Sequence, residues 1–306
     1  MIALKRNLKK YGSFAKEVFT EFSSDNATKL SASLSYYTIF SLAPMLVVII
    51  SVASIFYGRE AIQGEVYGQI NWLIGKDAAK QIEELIKNAR LSQKSGLAAI
   101  IGTVTLLLGA TGVFAEIQDS INFIWSLKAK PKSGILKYLI NRLLSFSLIL
   151  SLGFLLIVSL LINTLLDIFS QRLQLFFEDG TVYFFFVINL LIVFSVITLL
   201  FAIIFKVLPD GKIAWKDSFF GAGVTAIFFM AGKFIIGYYL GQSAVLTTFG
   251  AAGSVVIILL WVYYSSTILF LGAEFTKVYT RHFGTPIQPN KNAVLLEKKE
   301  IEIKLK

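Results

Sequence analysis

Cysteine is absent from this chain of 306 residues, and histidine occurs once, at His282. The missing thiols exclude disulfides, thiol nucleophiles and thiolate metal sites. Charged residues are also scarce, at 16% of the chain, whereas apolar residues reach 56% without glycine being counted. Soluble domains average about 45–50% by a count that includes glycine. The composition therefore predicts a membrane protein and leaves little chain for a separate soluble domain.

Six long apolar runs divide the sequence, which has a mean hydropathy of +0.70. A hydrocarbon core about 30 Å thick needs about 20 mostly apolar residues in a helix, and each run meets that length. The alternative, buried core helices of a soluble protein, fits this hydropathy poorly. The predicted fold is all-α, a polytopic bundle with six transmembrane helices in a domain over residues 30–275. The runs lie at roughly 30–57, 97–125, 138–166, 182–208, 213–240 and 249–275.

The basic residues predict an orientation for the bundle. Of the 29 Lys and Arg residues, 20 lie in four segments, namely 1–29, 126–138, 206–216 and 276–306. These segments fall on one side of a six-span bundle, and basic residues mark the cytoplasmic side. Both termini are therefore predicted to be cytoplasmic. Residues 58–95 oppose this assignment, because they carry six basic residues on the other side.

Three polar segments flank the predicted spans. Residues 1–29 repeat apolar side chains at three- and four-residue spacing, which predicts an amphipathic helix. That helix either lies in the cytoplasmic interface, with its lysines towards anionic headgroups, or docks against the bundle. Residues 58–95 predict two amphipathic helices on the extracytoplasmic face, as a lid over a cavity or a simple cover. Residues 276–306 form a basic tail whose Lys/Glu-rich end is expected to be mobile.

The tripeptide Pro209-Asp210-Gly211 separates the fourth and fifth runs. Proline sets one backbone angle and glycine accepts the left-handed conformation, so the tripeptide predicts a tight turn. The fourth and fifth spans are therefore expected to form an antiparallel hairpin.

Lys233 lies in the stretch Gly221–Leu240, where a charge is expensive and normally faces the bundle interior or water. Two interpretations stand. The side chain snorkels to the outer interface, or it points inward and forms a small polar pocket open to the outside. Matching depth along the helices nominates Asn189, and Asn163 or Asp167 at the outer end of the third span, as neighbours in that pocket.

A second polar set lies at the opposite depth. Glu116 and Asp119 follow the apolar part of the second run, and Glu274 lies at the inner end of the sixth. The three carboxylates are therefore expected near the cytoplasmic surface. Glu116 and Asp119 are three residues apart on one helix face, where unpaired carboxylates repel each other. Ordinary solvation at the interface is the alternative.

Pro44 follows a series of hydroxyl side chains in the first run. Proline frees a backbone carbonyl and kinks a helix, and hydroxyls bond either within their own helix or to a neighbour. A kinked, hydroxyl-lined helix occurs in transporters and also in inert bundles. The hydroxyl residues are Ser31, Ser33, Ser35, Tyr36, Tyr37, Thr38 and Ser41.

An ordered set of short motifs runs along the chain: Ala32-Ser33-Leu34-Ser35-Tyr36-Tyr37-Thr38 with Ser41-Leu42-Ala43-Pro44, Asn122-Phe123-Ile124-Trp125, Leu208-Pro209-Asp210, Gly250-Ala251-Ala252 and Leu271-Gly272-Ala273-Glu274. Together they resemble the YihY/BrkB membrane protein family from about residue 10 to 282. The resemblance implies six spans and a location in the bacterial cytoplasmic (inner) membrane.

Members of that family carry two labels, virulence factor and ribonuclease BN. A ribonuclease usually needs a histidine pair or a carboxylate-held metal. This chain offers one histidine and no compact soluble acidic cluster, so a nuclease would have to use Glu116, Asp119 and Glu274 at the membrane surface. We therefore expect no enzyme, no cofactor, no metal and no nucleic-acid partner.

Scattered intramembrane polarity without a catalytic constellation favours a transporter or flippase-like exporter. Its expected partners are membrane lipids and a lipid or other amphiphilic substrate. The main rival is a non-transporting envelope scaffold that organises partners through its interfacial helices, and the ribonuclease comes third. The sequence contains no nucleotide-binding Gly-Lys loop, so it gives no support for ATP drive.

Overall fold

The computed structural model describes residues 2–53, 96–130, 180–242 and 253–297, together with isolated positions between 64 and 84. The continuous ranges contain six helices and four short strands. The helices are α1 (Ile2–Ser24), α2 (Ala27–Ala53), α3 (Gly96–Ile124), α4 (Gly180–Val207), α5 (Trp215–Gln242) and α6 (Gly253–His282). The strands are β1 (Leu127–Ala129), β2 (Gly211–Lys212), β3 (Gln288–Pro289) and β4 (Ala293–Leu295).

Helices α2 to α6 coincide with five of the six predicted runs. They contain 27 to 30 residues each, and a rise of about 1.5 Å per residue gives each about 40 Å or more, enough to cross a bilayer. Two stretches of the described helices also meet a hydropathy criterion for a span, Leu190–Val207 at 2.8 and Val255–His282 at 2.1. The mainly helical fold is confirmed, whereas the six-span count and the orientation stay predictions. The third run and most of 58–95 lie outside the described residues.

Helix α6 lies at the centre of the packing, in contact with α1, α2, α3 and α5. Helix α2 also packs along α3, and α4 packs along α5. One end of the bundle is called the polar end. Helices α2 and α5 begin there, and helices α3, α4 and α6 end there. The interior of the bundle at this end is apolar, and the side chains of Ile121, Ile124, Phe205 and Phe270 are completely shielded from solvent.

The predicted hairpin of the fourth and fifth spans is confirmed. Helix α4 finishes at Val207, the turn follows, and α5 returns alongside α4 from Trp215. Gly211 is required for its small size, because a Cβ there would come within 2.8 Å of Leu127 and 3.0 Å of Ile287. The turn is therefore pressed against both β1 and the tail.

The chain beyond α6 folds back over the polar end. Strand β4 pairs antiparallel with β1, aligning Ala293 with Ala129, and β3 pairs with β2, aligning Pro289 with Gly211. In Gln288–Leu295, the backbone N–H and C=O groups of the tail pair with those of β1 and β2, two segments distant in sequence. The Lys/Glu-rich end of the tail, which is expected to be mobile, lies after residue 297 and outside the described residues, so its mobility stays a prediction.

Two glycine–threonine pairs allow α5 and α6 to approach closely. A Cβ at Gly221 would overlap Thr276, and a Cβ at Gly272 would overlap Thr225. Each threonine hydroxyl donates a hydrogen bond of 2.7 Å to the glycine carbonyl four residues earlier in its own helix. The two backbones thus meet with their polar groups satisfied, as small residues permit in membrane bundles.

Candidate functional site

Charged residues of α1 and α6 meet at the polar end. Helix α1 carries acidic residues at four-residue intervals, and α6 carries basic residues at the same interval. Side chains four apart share a helix face, so the two complementary rows lie opposite each other. The α1–α6 charge cluster comprises Glu17 and Glu21 of α1, Asp25 in the turn directly after α1, and Glu274, Lys277, Arg281 and His282 of α6.

Lys277 occupies the inner part of this cluster. Its Nζ lies 2.6 Å from Glu21 Oε2, 3.1 Å from Asp25 Oδ2 and 3.0 Å from Glu274 Oε2. A lysine ammonium has three N–H donors, so these three carboxylates use all of them. The Lys277 side chain is 12% exposed, that of Asp25 7% and that of Glu274 0%. Burial of ions costs several kcal/mol each before pairing, so this arrangement differs from a surface salt bridge.

The outer part of the cluster is more accessible to water. Arg281 Nη1 lies 2.6 Å from Glu21 Oε1 and 3.0 Å from Glu17 Oε1, and His282 Nε2 lies 2.7 Å from Glu17 Oε2. Burial by itself would raise the pKa of the Glu21 carboxyl. Hydrogen bonds and charges from Lys277 and Arg281 outweigh that effect and hold the pKa below its ordinary value of 4.5. Glu21 is therefore ionised at neutral pH.

Glu274 is the most deeply buried member of the cluster. Its Oε2 accepts from Lys277, but its Oε1 accepts no hydrogen bond from any residue that the structure describes. The carboxyl of Asp25 is a close neighbour of the Glu274 carboxyl, because Asp25 Oδ2 and Glu274 Oε2 contact the same Lys277 Nζ, at 3.1 Å and 3.0 Å. Buried polar atoms are nearly always satisfied, so the state of this oxygen needs a chemical explanation.

Aromatic side chains cover the cluster on one side. The ring of Phe14 lies 5.3 Å from that of Phe275 and 5.6 Å from that of Phe283, in edge-to-face arrangements. Helix α1 is thus docked against α6, which is one of the two interpretations of the N-terminal segment. Tyr11 and Phe19 remain exposed on α1, and their contact with lipid stays a prediction.

Two polar contacts fix the backbone beside the cluster. Asn122 Nδ2 donates to Asp210 Oδ2 at 3.1 Å, and the Asp210 N–H donates to Asn122 Oδ1 at 2.8 Å. Trp125 Nε1 donates to the carbonyl of Ala273 at 3.1 Å, one residue before Glu274. Three of the motifs that carry the family resemblance therefore join α3, the α4–α5 turn and α6 at the polar end.

The predicted carboxylate set has separate partners. Glu116 Oε1 accepts a hydrogen bond of 2.6 Å from Ser33 Oγ at the contact of α2 with α3. Asp119 is exposed on α3. The charged neighbours of Glu274 are Lys277 and Asp25, so the described contacts join Glu274 to α1.

Pro44 lies inside α2 and packs against α3. A Cβ at Gly109 would come within 3.0 Å of Pro44 Cγ, so glycine makes room for the ring. Hydroxyls before it bond within their own helix, since Ser31, Ser35 and Thr38 each donate to a carbonyl four residues earlier. These groups are satisfied locally and do not need a substrate.

The predicted outer pocket remains a prediction. Lys233 is half-buried on α5, and Asn189 belongs to α4. The side chain of Asn189, and Asn163 and Asp167 entirely, lie outside the described residues. Among the residues that are described, no group of three His, Asp or Glu side chains is placed to hold a metal ion.

A sequence profile of the family described as Virulence factor BrkB matches residues 18–295. The chain belongs to the BrkB family. The match includes α2 to α6, all four strands and most of the charge cluster. Identification as a YihY/BrkB family member from the sequence motifs is thereby confirmed.

Individual BrkB relatives are distant but cover most of the chain. A UPF0761 membrane protein of Aeromonas salmonicida is 29% identical over 275 residues, covering 87% of this chain and 88% of that protein. One of Haemophilus influenzae is 28% identical over 277 residues, covering 90% and 95%. One of Teredinibacter turnerae is 25% identical over 273 residues, covering 88% of this chain but only 60% of that longer protein. No solved structure matches. BrkB proteins form a membrane protein family and not a known enzyme family.

Proposed function

We propose that this BrkB protein is a multi-pass transporter of the bacterial inner membrane that moves a lipid or other amphiphile. In this proposal both termini and the polar end face the cytoplasm. The observation that carries it is the buried Glu274–Asp25–Lys277 group between α1 and α6. Glu274 lies in the predicted sixth span, and ionisable residues within spans are costly and usually mark a transport path or a proton relay.

Stability alone gives a poor account of this group. Replacement of a buried ion pair by apolar residues of similar volume is often neutral or stabilising. The surrounding contacts of α1, such as Phe14 on Phe275, show that apolar docking is available at the same interface. Charged groups at the centre of the contact between α1 and α6 therefore favour a contact that opens and closes.

The connections of α1 and α6 support a role in movement. Asn26, with a left-handed φ of 52°, separates α1 from α2 and provides a short link. Helix α6 contacts α2, α3 and α5 as well as α1. A change in the docking of α1 would therefore reach most of the described bundle through α6.

The surface of the bundle suits a substrate with a polar head and an apolar body. Charges are concentrated at the polar end, in the cluster between α1 and α6. Along the helices, large apolar side chains are exposed, including Phe40 of α2, Leu191 of α4 and Ile235 of α5. An amphiphile could contact both kinds of surface at once.

The test uses a chain that has no cysteine of its own. Glu17 and His282, whose side chains touch, are both replaced by cysteine and joined with a short bifunctional maleimide. Proteoliposomes are then assayed for movement of a fluorescent phospholipid and of a panel of soluble dyes. We expect lipid movement before cross-linking and loss of it afterwards, while each single-cysteine variant treated alike keeps its rate.

Two outcomes would contradict the proposal. No movement of any probe by the unmodified protein would exclude transport of these substrates, and a stable partner recovered from membranes would then favour the envelope scaffold. Unchanged lipid movement after complete cross-linking would show that the charge cluster takes no part in transport.

A further inference from the structure

We infer that Asp25 and Glu274 share one proton and thereby form a proton-binding site between α1 and α6. The inference rests on the proposed transport only for the consequence that this proton is the coupling ion. The site itself is argued from contacts and charge.

The first argument is the unsatisfied oxygen of Glu274. The side chain is fully buried, and Oε1 has no donor among the described residues. Lys277 cannot supply one, because its three N–H donors already reach Glu21, Asp25 and Glu274 Oε2. A proton on the Glu274 carboxyl turns an oxygen into an O–H donor, and the neighbouring Asp25 carboxylate, which contacts the same Lys277 ammonium, is the acceptor.

The second argument is the balance of charge. Among the residues that the structure describes, the cluster has four carboxylates and two permanent cations, so these side chains together are negative whether or not His282 is protonated. His282 and Arg281 contact the outer carboxylates Glu17 and Glu21. The charged groups that act most strongly on Glu274 are Lys277 of its own helix and Asp25 in the turn after α1. Like charges sharing one site cannot both ionise easily.

The chemistry of the site is a single proton transfer. A proton from the aqueous phase at the polar end adds to one carboxylate and forms an O–H bond, without any change of oxidation state. Its return to water leaves two buried carboxylates around one ammonium. Repulsion between Asp25 and Glu274 would then push α1 away from α6, so the bound proton keeps the junction closed.

Infrared spectroscopy of the full-length protein in lipid tests the site directly. We expect a carbonyl-stretch band of a protonated carboxylic acid at neutral pH that disappears in both Glu274→Gln and Asp25→Asn. The exposed Glu84→Gln serves as the control and should keep the band. Either neutral variant alone is sufficient if the other fails to fold. Absence of the band from the wild-type protein, or its survival in both variants, overturns the site.

Transport under a pH gradient tests the coupling separately. In proteoliposomes we expect the gradient to change the rate of lipid movement for the wild-type protein, and Glu274→Gln to lose this response. Lipid movement that ignores the gradient in the wild-type protein overturns the coupling. Absence of all lipid movement contradicts the proposed function instead, and the infrared band then still decides whether the proton site exists.

Discussion

Replacement of Lys277 by methionine removes a positive charge that three carboxylates share. Methionine keeps an unbranched, flexible chain, so packing changes little and the effect is mainly electrostatic. Glu274 is fully buried and Asp25 nearly so, and both contact the lost ammonium. Removal of one partner from a buried ion pair costs about 3–5 kcal/mol, because the other charge is left without compensation. We expect a loss of stability in this range.

A double variant distinguishes uncompensated charge from lost packing. At a pH high enough for the Asp25–Glu274 pair to have released its shared proton, Glu274→Gln removes one of the two carboxylate charges that Lys277→Met leaves without a partner. The double variant should then be more stable than Lys277→Met alone by at least about 1 kcal/mol. Arg281→Met is the matched control on the same helix face. Arg281 is 51% exposed, and a solvent-exposed pair contributes about 0–1 kcal/mol.

The measurement is the free energy of unfolding, from loss of helical circular dichroism as a denaturing detergent replaces a mild one. Wild type, both single variants and the double variant are compared in the same micelles. The reasoning is refuted if Lys277→Met costs no more than Arg281→Met. It is also refuted if Glu274→Gln lowers the free energy of unfolding of Lys277→Met still further, since the Glu274 charge would then not be the source of the destabilisation.

Three further predictions concern packing, pH and orientation. Gly272→Ala should cost about 1–3 kcal/mol because its Cβ overlaps a threonine of α5, whereas Gly223→Ala, with only a ring carbon at 4.0 Å, should cost less in the same unfolding assay. The pKa of Glu21 is held below 4.5 in the folded protein, so the stabilisation that ionised Glu21 provides should be complete above pH 4.5 and disappear as the pH falls through the pKa of the folded state. Unfolding measured from about pH 7 to about pH 3 should therefore show a smaller loss of stability in acid for Glu21→Gln than for the wild-type protein. In intact cells, a membrane-impermeant maleimide should label Lys80→Cys but not Lys130→Cys, and the reverse pattern would contradict cytoplasmic termini.

Much of the helical fold could be predicted from hydropathy alone. The runs 30–57 and 213–240 correspond to Ala27–Ala53 and Trp215–Gln242, within a few residues at each end. The end of α6 could not be predicted in this way. Charged residues after 275 lower the hydropathy, yet the helix continues to His282 because those residues pair with α1.

The candidate site could be predicted only in part. Glu274 is conspicuous as a carboxylate at the end of an apolar run. It contacts Lys277 of its own helix, but Lys277 in turn contacts Asp25, which lies 252 residues earlier, in the turn after α1. Hydropathy does not reveal which helix α1 docks against. The missed signal was the pair of complementary rows, acidic residues four apart on α1 and Lys277 and Arg281 four apart on α6.

The folded-back tail constrains how the charge cluster can open. Strands β3 and β4 attach the chain after α6 to the α4–α5 turn and to the end of α3. Trp125 also holds the carbonyl beside Glu274. These contacts anchor the end of α6 on one side, whereas α1 is connected to the bundle through the short turn at Asn26, the cluster and the ring contacts of Phe14. Repulsion between Asp25 and Glu274 should therefore displace α1 rather than α6. Spin labels on α1 and α6 should report a pH-dependent change in separation, while labels on β4 and β1 should keep a constant distance.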